Sequence, residues 1–202
     1  MDRLLQCRAT VIGVGAIGRQ VALQLAAIGI PSLQLIDPDQ VEEVNLAPQG
    51  YLPEEIGMAK VNATAGACQA INPLLATTEW RERFRRSMTI GDVIFCCVDS
   101  IETRRLIFEA VKDRCRFFVD GRMSAEVLRV LTVYNPKSRE HYPTTLFAGS
   151  EAYAGSCTSK STIFCACVAA GLMVSGFARF LRGVPVEADV SLNLLAGEWN
   201  VN

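Results

Sequence analysis

Residues 9–45 constrain this chain more than any other stretch, because strand, glycine-rich turn, helix and second strand follow one another there without a break. The apolar run Ala9-Thr10-Val11-Ile12 enters Gly13-Val14-Gly15-Ala16-Ile17-Gly18. A helix-period segment, Arg19 to Ile28, comes next, and Ser32-Leu33-Gln34-Leu35-Ile36-Asp37 has the pattern of a second strand. This is a β-α-β unit with a phosphate-binding turn. Glycines keep side chains out of the way of an approaching anion, and the amides at the helix start face it with the positive end of the dipole. Asp37 closes the second strand, where a carboxylate accepts hydrogen bonds from ribose hydroxyls. The spacing therefore predicts an adenine nucleotide and leaves ATP and NAD both open.

The remaining pattern extends that unit into a sheet. A long polar connection, 38–57, leads to a predicted helix over 58–71 that Asn72-Pro73 stops, and 76–80 reads as a third strand. The basic cluster Arg81 to Arg86 reads as a solvated helical turn. Asp92-Val93-Ile94-Phe95-Cys96-Cys97-Val98 is continuously apolar after its first residue, as a central parallel strand buried on both faces requires. A helix over 101–113 and a strand over 116–120 follow. Residues 126–134 are β-rich with no helix before them, so they are expected to add antiparallel, and 189–202 reads as a final strand pair. Residues 135–156, which include His141, lack periodicity and read as an exposed loop with a solvated histidine. The expected fold is α/β and Rossmann-like, a mostly parallel twisted sheet with helices on both faces and antiparallel strands toward the C-terminus. All 202 residues are expected to form one domain.

Composition narrows the partners. Twenty basic and 21 acidic side chains leave no overall field for a polyanion, so nucleic acid is not expected. Residues 162–181 are apolar enough to raise a membrane span, but Gly171, Ser175 and Gly176 interrupt them and Arg179 and Arg182 end them. A core helix or a dimer interface is the preferred reading, with no membrane role. The eight cysteines lie mostly in apolar patterns and include no C-x-x-C pair, so neither disulfides nor a zinc site is expected. The segment Met1 to Gln6 lacks a signal-peptide core, which makes a reducing cytoplasm the expected location.

Three features separate ATP chemistry from hydride chemistry. Lys60 lies within Gly57-Met58-Ala59-Lys60-Val61 at a helix start, where it can reach triphosphate oxygens and where a structural lysine would oppose the dipole. Asp99 ends the buried fourth strand at the carboxyl edge, placed to hold Mg²⁺ against phosphates or to cap the next helix, a task Ser100 can perform alone. Cys157-Thr158 precedes Lys160 at an expected helix start, where thiolate character is favoured.

Together with Asp37-x-Asp39, Asn45-Leu46, Gln49, Asn72-Pro73 and Arg104, these residues resemble the family of ThiF, MoeB and the ubiquitin-activating enzymes over roughly residues 8–182. The resemblance implies a ThiF-type adenylation domain. It would use ATP and Mg²⁺ to activate the C-terminal glycine carboxylate of a ubiquitin-like protein, releasing pyrophosphate. Carried residue by residue, it implies that Gly13, Gly15 and Gly18 bind nucleotide with Asp37 and Asp39, and that Asp37 serves the ribose. Asn45, Gln49 and Lys60 would serve phosphates, and Asp99 the metal and the reacting centre. Arg104 would either support phosphates or pair with Glu102 or Glu109 on its own helix. Cys157 would be either a thioester nucleophile or an incidental thiol beside the adenylate. A homodimer packed through the 162–181 helix is also expected.

The chain departs from the family at Asn45-Leu46-Ala47-Pro48-Gln49, where members commonly carry arginine at the fourth position. That cation would have to come from Arg19, from Arg3 of the same or a partner chain, or from nowhere. The short form resembles the small ThiF-like proteins of bacterial gene clusters that encode ubiquitin-like partners. Two other functions stay open: a non-catalytic half of an activating heterodimer, marked by Pro48, and an NAD-dependent oxidoreductase.

Overall fold

The structure is a computed structural model that describes residues 2–147 and 163–202. A one-turn helix α1 (Asp2–Leu5) leads into β1 (Arg8–Ile12), α2 (Ala16–Ala27), β2 (Ser32–Ile36), the short α3 (Leu46–Gln49), α4 (Lys60–Ile71) and β3 (Ala76–Trp80). Then come β4 (Val93–Cys96), α5 (Ile101–Val111), β5 (Phe117–Ser124), β6 (Val127–Val133), α6 (Pro136–His141), α7 (Ile163–Arg182), β7 (Asp189–Asn193) and β8 (Glu198–Val201). One eight-stranded sheet has the order β3-β2-β1-β4-β5-β6-β7-β8. The pairs from β3 to β5 are parallel, and those from β5 to β8 are antiparallel, as expected for the C-terminal additions.

That order places the site. From β1 the chain winds outward through β2 and β3, then returns to lay β4 on the other side of β1. The two halves diverge between β1 and β4, and the crevice beyond their carboxyl ends is where open α/β sheets bind ligands. Gly13 leaves β1 and Cys97 leaves β4 side by side, with the Cys97 amide donating to Ile12 O at 2.8 Å.

Period-two alternation divides the strands between two cores. Val11, Leu33, Leu35, Phe95, Phe117 and Val119 face the α2, α4 and α7 layer, while Ile12, Ile36, Ile94 and Phe118 face α5 and Tyr142. Helix α7 is long and apolar enough to span a bilayer, yet one face of it is a core face. Cys165, Ala166, Ala169, Ala170, Met173 and Phe177 are buried in the layer that contains α2, β5 and β6. The small residues let the backbones approach, and the Phe177 ring meets Phe95 and Phe117 with centroids 5.8 and 5.5 Å apart.

Two local expectations are corrected. Residues 81–86 contain no helix; Phe84 is buried there, which a fully solvated turn would not allow. The described part of 135–156 is not a plain loop: Asn135 caps α6 by accepting from the Ser138 amide at 2.8 Å, and Pro136 stands at the first helical position. His141 is not a solvated loop residue, because it closes α6 with its Nε2 2.9 Å from the buried Asp189 Oδ2.

Candidate nucleotide site

The three glycines of the turn have three different jobs. Gly13 adopts φ +85°, and a Cβ there would stand 2.8 Å from the Cys97 carbonyl, so both conformation and contact exclude a side chain. A Cβ on Gly18 would fall 1.8 Å from Gly13 O, so this glycine lets α2 pack onto the turn. Gly15 is the exception, with the Gln49 side chain at 3.9 Å as its nearest neighbour. Its missing side chain leaves room over the N-terminus of α2, which no side chain caps. The free amide end and the open space coincide, as an anion site requires.

Asp37 lies beside that turn. Its Oδ2 accepts from the Val14 amide at 2.7 Å and its Oδ1 from the Asp39 amide at 2.9 Å. Burial pushes its carboxyl above the ordinary range, opposed by these two amides and by the Lys60 ammonium. Asp39 carries the connection further: its carbonyl accepts from the Lys60 amide at 3.0 Å, and its Oδ2 pairs with Lys60 Nζ at 3.3 Å. A single antiparallel bridge between Gln40 and Ala59 brings these distant residues into register. Lys60 opens α4 as expected, and only 7% of its surface is exposed.

The Asn45–Gln49 segment forms a 3₁₀ turn and then α3, closed by Gly50 at φ +73°. Asn45 Oδ1 accepts from the Glu42 amide at 3.0 Å, which leaves its amide nitrogen as the group with spare donors. Gln49 is buried, and among the described residues its side-chain oxygen has no hydrogen-bond partner. A buried, unpaired amide oxygen costs free energy unless a donor completes it. The structure thus gathers Gly15, Gln49, Asp37, Asp39 and Lys60 at one edge of the sheet.

Arg19 does not present its charge to this space. Its guanidinium is 3.1 Å from Glu55, donates to Gly50 O at 3.1 Å and lies 4.1 Å above the Tyr51 ring. Arg3 of the same chain is at the opposite edge, donating to Leu181 O at the end of α7. Neither replaces the arginine missing at position 48, where Pro48 is buried in α3.

On the other side of the crevice Ser100, not Asp99, caps α5, accepting from the Thr103 amide at 3.2 Å. The Asp99 carboxylate is exposed at the rim, with Oδ1 taking the Ser100 amide at 2.8 Å. Arg104 pairs with neither Glu102 nor Glu109. It forms an ion pair with the fully buried Asp120, donates to Gly121 O at 3.1 Å and bonds Val98 O, so it staples the loop bearing Asp99 to β5. Asp120 also accepts from Arg122 at 2.8 Å and from the Tyr142 hydroxyl at 2.9 Å. Sequence reasoning missed Asp120, Arg122, Tyr51 and Glu55. The only available signal was a charge standing in an apolar run, as in Phe117-Phe118-Val119-Asp120. Cys157, the candidate nucleophile, lies outside the described residues.

A family model described as ThiF family matches residues 1–197. The chain belongs to the ThiF family. Among curated ThiF-family relatives, a ubiquitin-like modifier-activating enzyme 5 from Aedes aegypti is 30% identical over 129 residues, which covers 55% of this chain and 32% of that protein. The adenylyltransferase and sulfurtransferase MOCS3 of Arabidopsis thaliana is 34% identical over 143 residues, 66% of this chain and 30% of the relative. The chain therefore spans about a third of the length of these relatives. Two crystal structures share the ThiF-type fold across all of this chain. PaaA does so with a TM-score of 0.81 at 20% identity over 65% of its own length, and E. coli MccB with AMPCPP and MccA with 0.79 at 16% over 64%.

Proposed function

We propose that this chain is an adenylyltransferase that uses ATP to activate the C-terminal carboxylate of a ubiquitin-like protein. The observation that carries the reading is the buried Lys60 ammonium, tied through Asp39 and Asp37 to the glycine turn whose open helix end lies at Gly15. A hydride-transfer site has no use for Lys60 there. Relatives named as activating enzymes and an adenylyltransferase support the reaction class, and MccB of the same fold has been crystallised with ATP.

The chemistry asks little of general acids and bases. A carboxylate is ionised at neutral pH, so its oxygen attacks the α-phosphorus directly. The bond from that phosphorus to the bridging oxygen breaks, and pyrophosphate leaves with the electron pair. The site's work is orientation and neutralisation of charge. Asp37 receives the ribose hydroxyls, the amides around Gly15 and the Asn45 and Gln49 side-chain nitrogens bond phosphate oxygens, and Lys60 neutralises them. A single rim carboxylate such as Asp99 suits Mg²⁺, which binds through one or two carboxylates plus substrate phosphates and supplies further charge neutralisation. As a second step, the Cys157 thiolate attacks the acyl carbon and AMP departs. The active particle is a homodimer packed through the outer face of α7, and sedimentation at 22.0 kDa would remove that element.

Thermal unfolding with Mg·ATP, ATP alone or NAD tests the core of this reading. At 100 times its dissociation constant a ligand stabilises by about 2.7 kcal/mol, so Mg·ATP raises the melting temperature of the native chain and not of Lys60→Ala. A shift with NAD and none with Mg·ATP refutes adenylation. Pro48 supports one rival, a non-catalytic half of a heterodimer. Such a chain binds ATP but catalyses no pyrophosphate exchange with a ubiquitin-like partner, whereas the enzyme exchanges label.

A further inference from the structure

Beneath the nucleotide site lies a polar cluster that touches no open space. Arg19, Tyr51, Glu55 and Thr64 are exposed by 3, 3, 8 and 0%, and every polar group among them is turned into the protein. The Arg19 guanidinium gives Nη2 to both Glu55 oxygens at 3.3 and 3.1 Å, Nη1 to Thr64 Oγ1 at 3.4 Å and Nε to Gly50 O at 3.1 Å. The Tyr51 hydroxyl donates to Val14 O at 2.6 Å and lies 3.2 Å from Thr64 Oγ1. Glu55 Oε2 takes the Leu52 amide at 2.7 Å, which fixes the turn that carries Glu55 itself.

Three groups in this cluster adjoin groups of the site. Val14 O precedes Gly15, Gly50 O follows Gln49, and Thr64 is one helical turn beyond Lys60 on α4. The glycine turn, the Gln49 segment and the start of α4 are thus tied to one another through this one cluster. Loops ordered at the moment of binding lose affinity to conformational entropy, whereas loops locked beforehand do not.

We infer that Arg19, Tyr51 and Glu55 are positioning residues for the phosphate-binding groups, holding the glycine turn, Gln49 and the Lys60 helix in their binding arrangement before nucleotide arrives. The inference rests on the nucleotide reading above. Arg19 contributes here through its directional donors and its flat face over Tyr51, not through charge offered to the ligand.

The test compares ATP dissociation constants, well below the melting temperature, for the native chain, Tyr51→Phe and Phe177→Leu. Phe177 packs on Phe95 and Phe117 and supplies a control for lost stability alone. Tyr51→Phe deletes the hydroxyl that bonds Val14 O and weakens ATP by about five- to tenfold, while Phe177→Leu leaves affinity unchanged. The Arg19→Leu/Glu55→Leu pair leaves no buried charge unpaired, gives the same weakening and serves if Tyr51→Phe does not fold. Tyr51→Phe binding ATP within twofold of native, or Phe177→Leu losing as much affinity as Tyr51→Phe, overturns the positioning role. A native chain that does not bind ATP overturns the nucleotide reading itself, which separates the two failures.

Discussion

At the scale of single residues, the three glycines of the turn are unequal, and substitution would expose it. Gly15→Ala meets nothing closer than Gln49 at 3.9 Å, so the chain keeps its stability within about 1 kcal/mol and loses ATP affinity by about tenfold or more. Gly18→Ala drives a methyl into Gly13 O and fails at the level of folding, seen as loss of the cooperative urea transition. Ala125 makes the opposite case. It is the one non-glycine residue at positive φ among the described residues, at 51°, in the two-residue turn between β5 and β6. Left-handed backbone costs a residue with a Cβ about 1 kcal/mol, so Ala125→Gly raises the urea midpoint. Sequence reveals such residues only in part. The Gly-x-Gly-x-x-Gly spacing announces the turn, but which glycine is bare and which is packed depends on Gln49 and Cys97, residues 34 and 84 or so positions away in the chain.

Among elements, hydrophobic period and turn residues located most strands but not every end, since the strand read at 116–120 runs on to Ser124 as β5. The third strand lies at 76–80 as read, and 126–134 adds antiparallel as β6. Helix α6 was overlooked although Asn135-Pro136-Lys137-Ser138 carries its start signals, because its six residues show no apolar period. Its link to β7 was not legible at all, since His141 and Asp189 are 48 residues apart. Arg129 of β6 completes this tie, donating to both Asp189 oxygens at 2.8 and 2.6 Å. Burial alone would push the Asp189 carboxyl up, but the Arg129 and His141 hydrogen bonds outweigh it and hold the group below the usual range. The sign follows from the depressed value. The stabilisation is complete above the unfolded value of about 3.9 and is lost as pH falls through the lower native one. Asp189→Asn should therefore cost about 3 kcal/mol in urea unfolding at neutral pH, with the deficit narrowing in acid. An unchanged difference between pH 7 and pH 3 would refute this account.

For the molecule as a whole, the sheet separates two cores with little in common. Phe177 stacks with Phe95 and Phe117 on one face, whereas Phe108 meets Phe118 and Tyr142 on the other. Phe177→Leu and Phe108→Leu should each cost about 1 kcal/mol, and the double variant should equal their sum within about 0.5 kcal/mol. A larger discrepancy would mean that the sheet transmits repacking across its thickness. The parallel half of the sheet and its antiparallel additions were readable from alternating apolar runs and helices, whereas the order of the strands was not read. The polar contacts that join the layers were not readable, since an isolated arginine such as Arg19 looks the same whether it faces water or Glu55. The link from Val14 to Tyr51 and Asp37 has a further consequence in time. The Val14 amide is buried and donates at 2.7 Å, so its hydrogen escapes to solvent only when the crevice opens together with the core beneath it. Its deuterium exchange should be as slow as that of the central strands even without nucleotide, which makes this loop one of the most persistent parts of the protein.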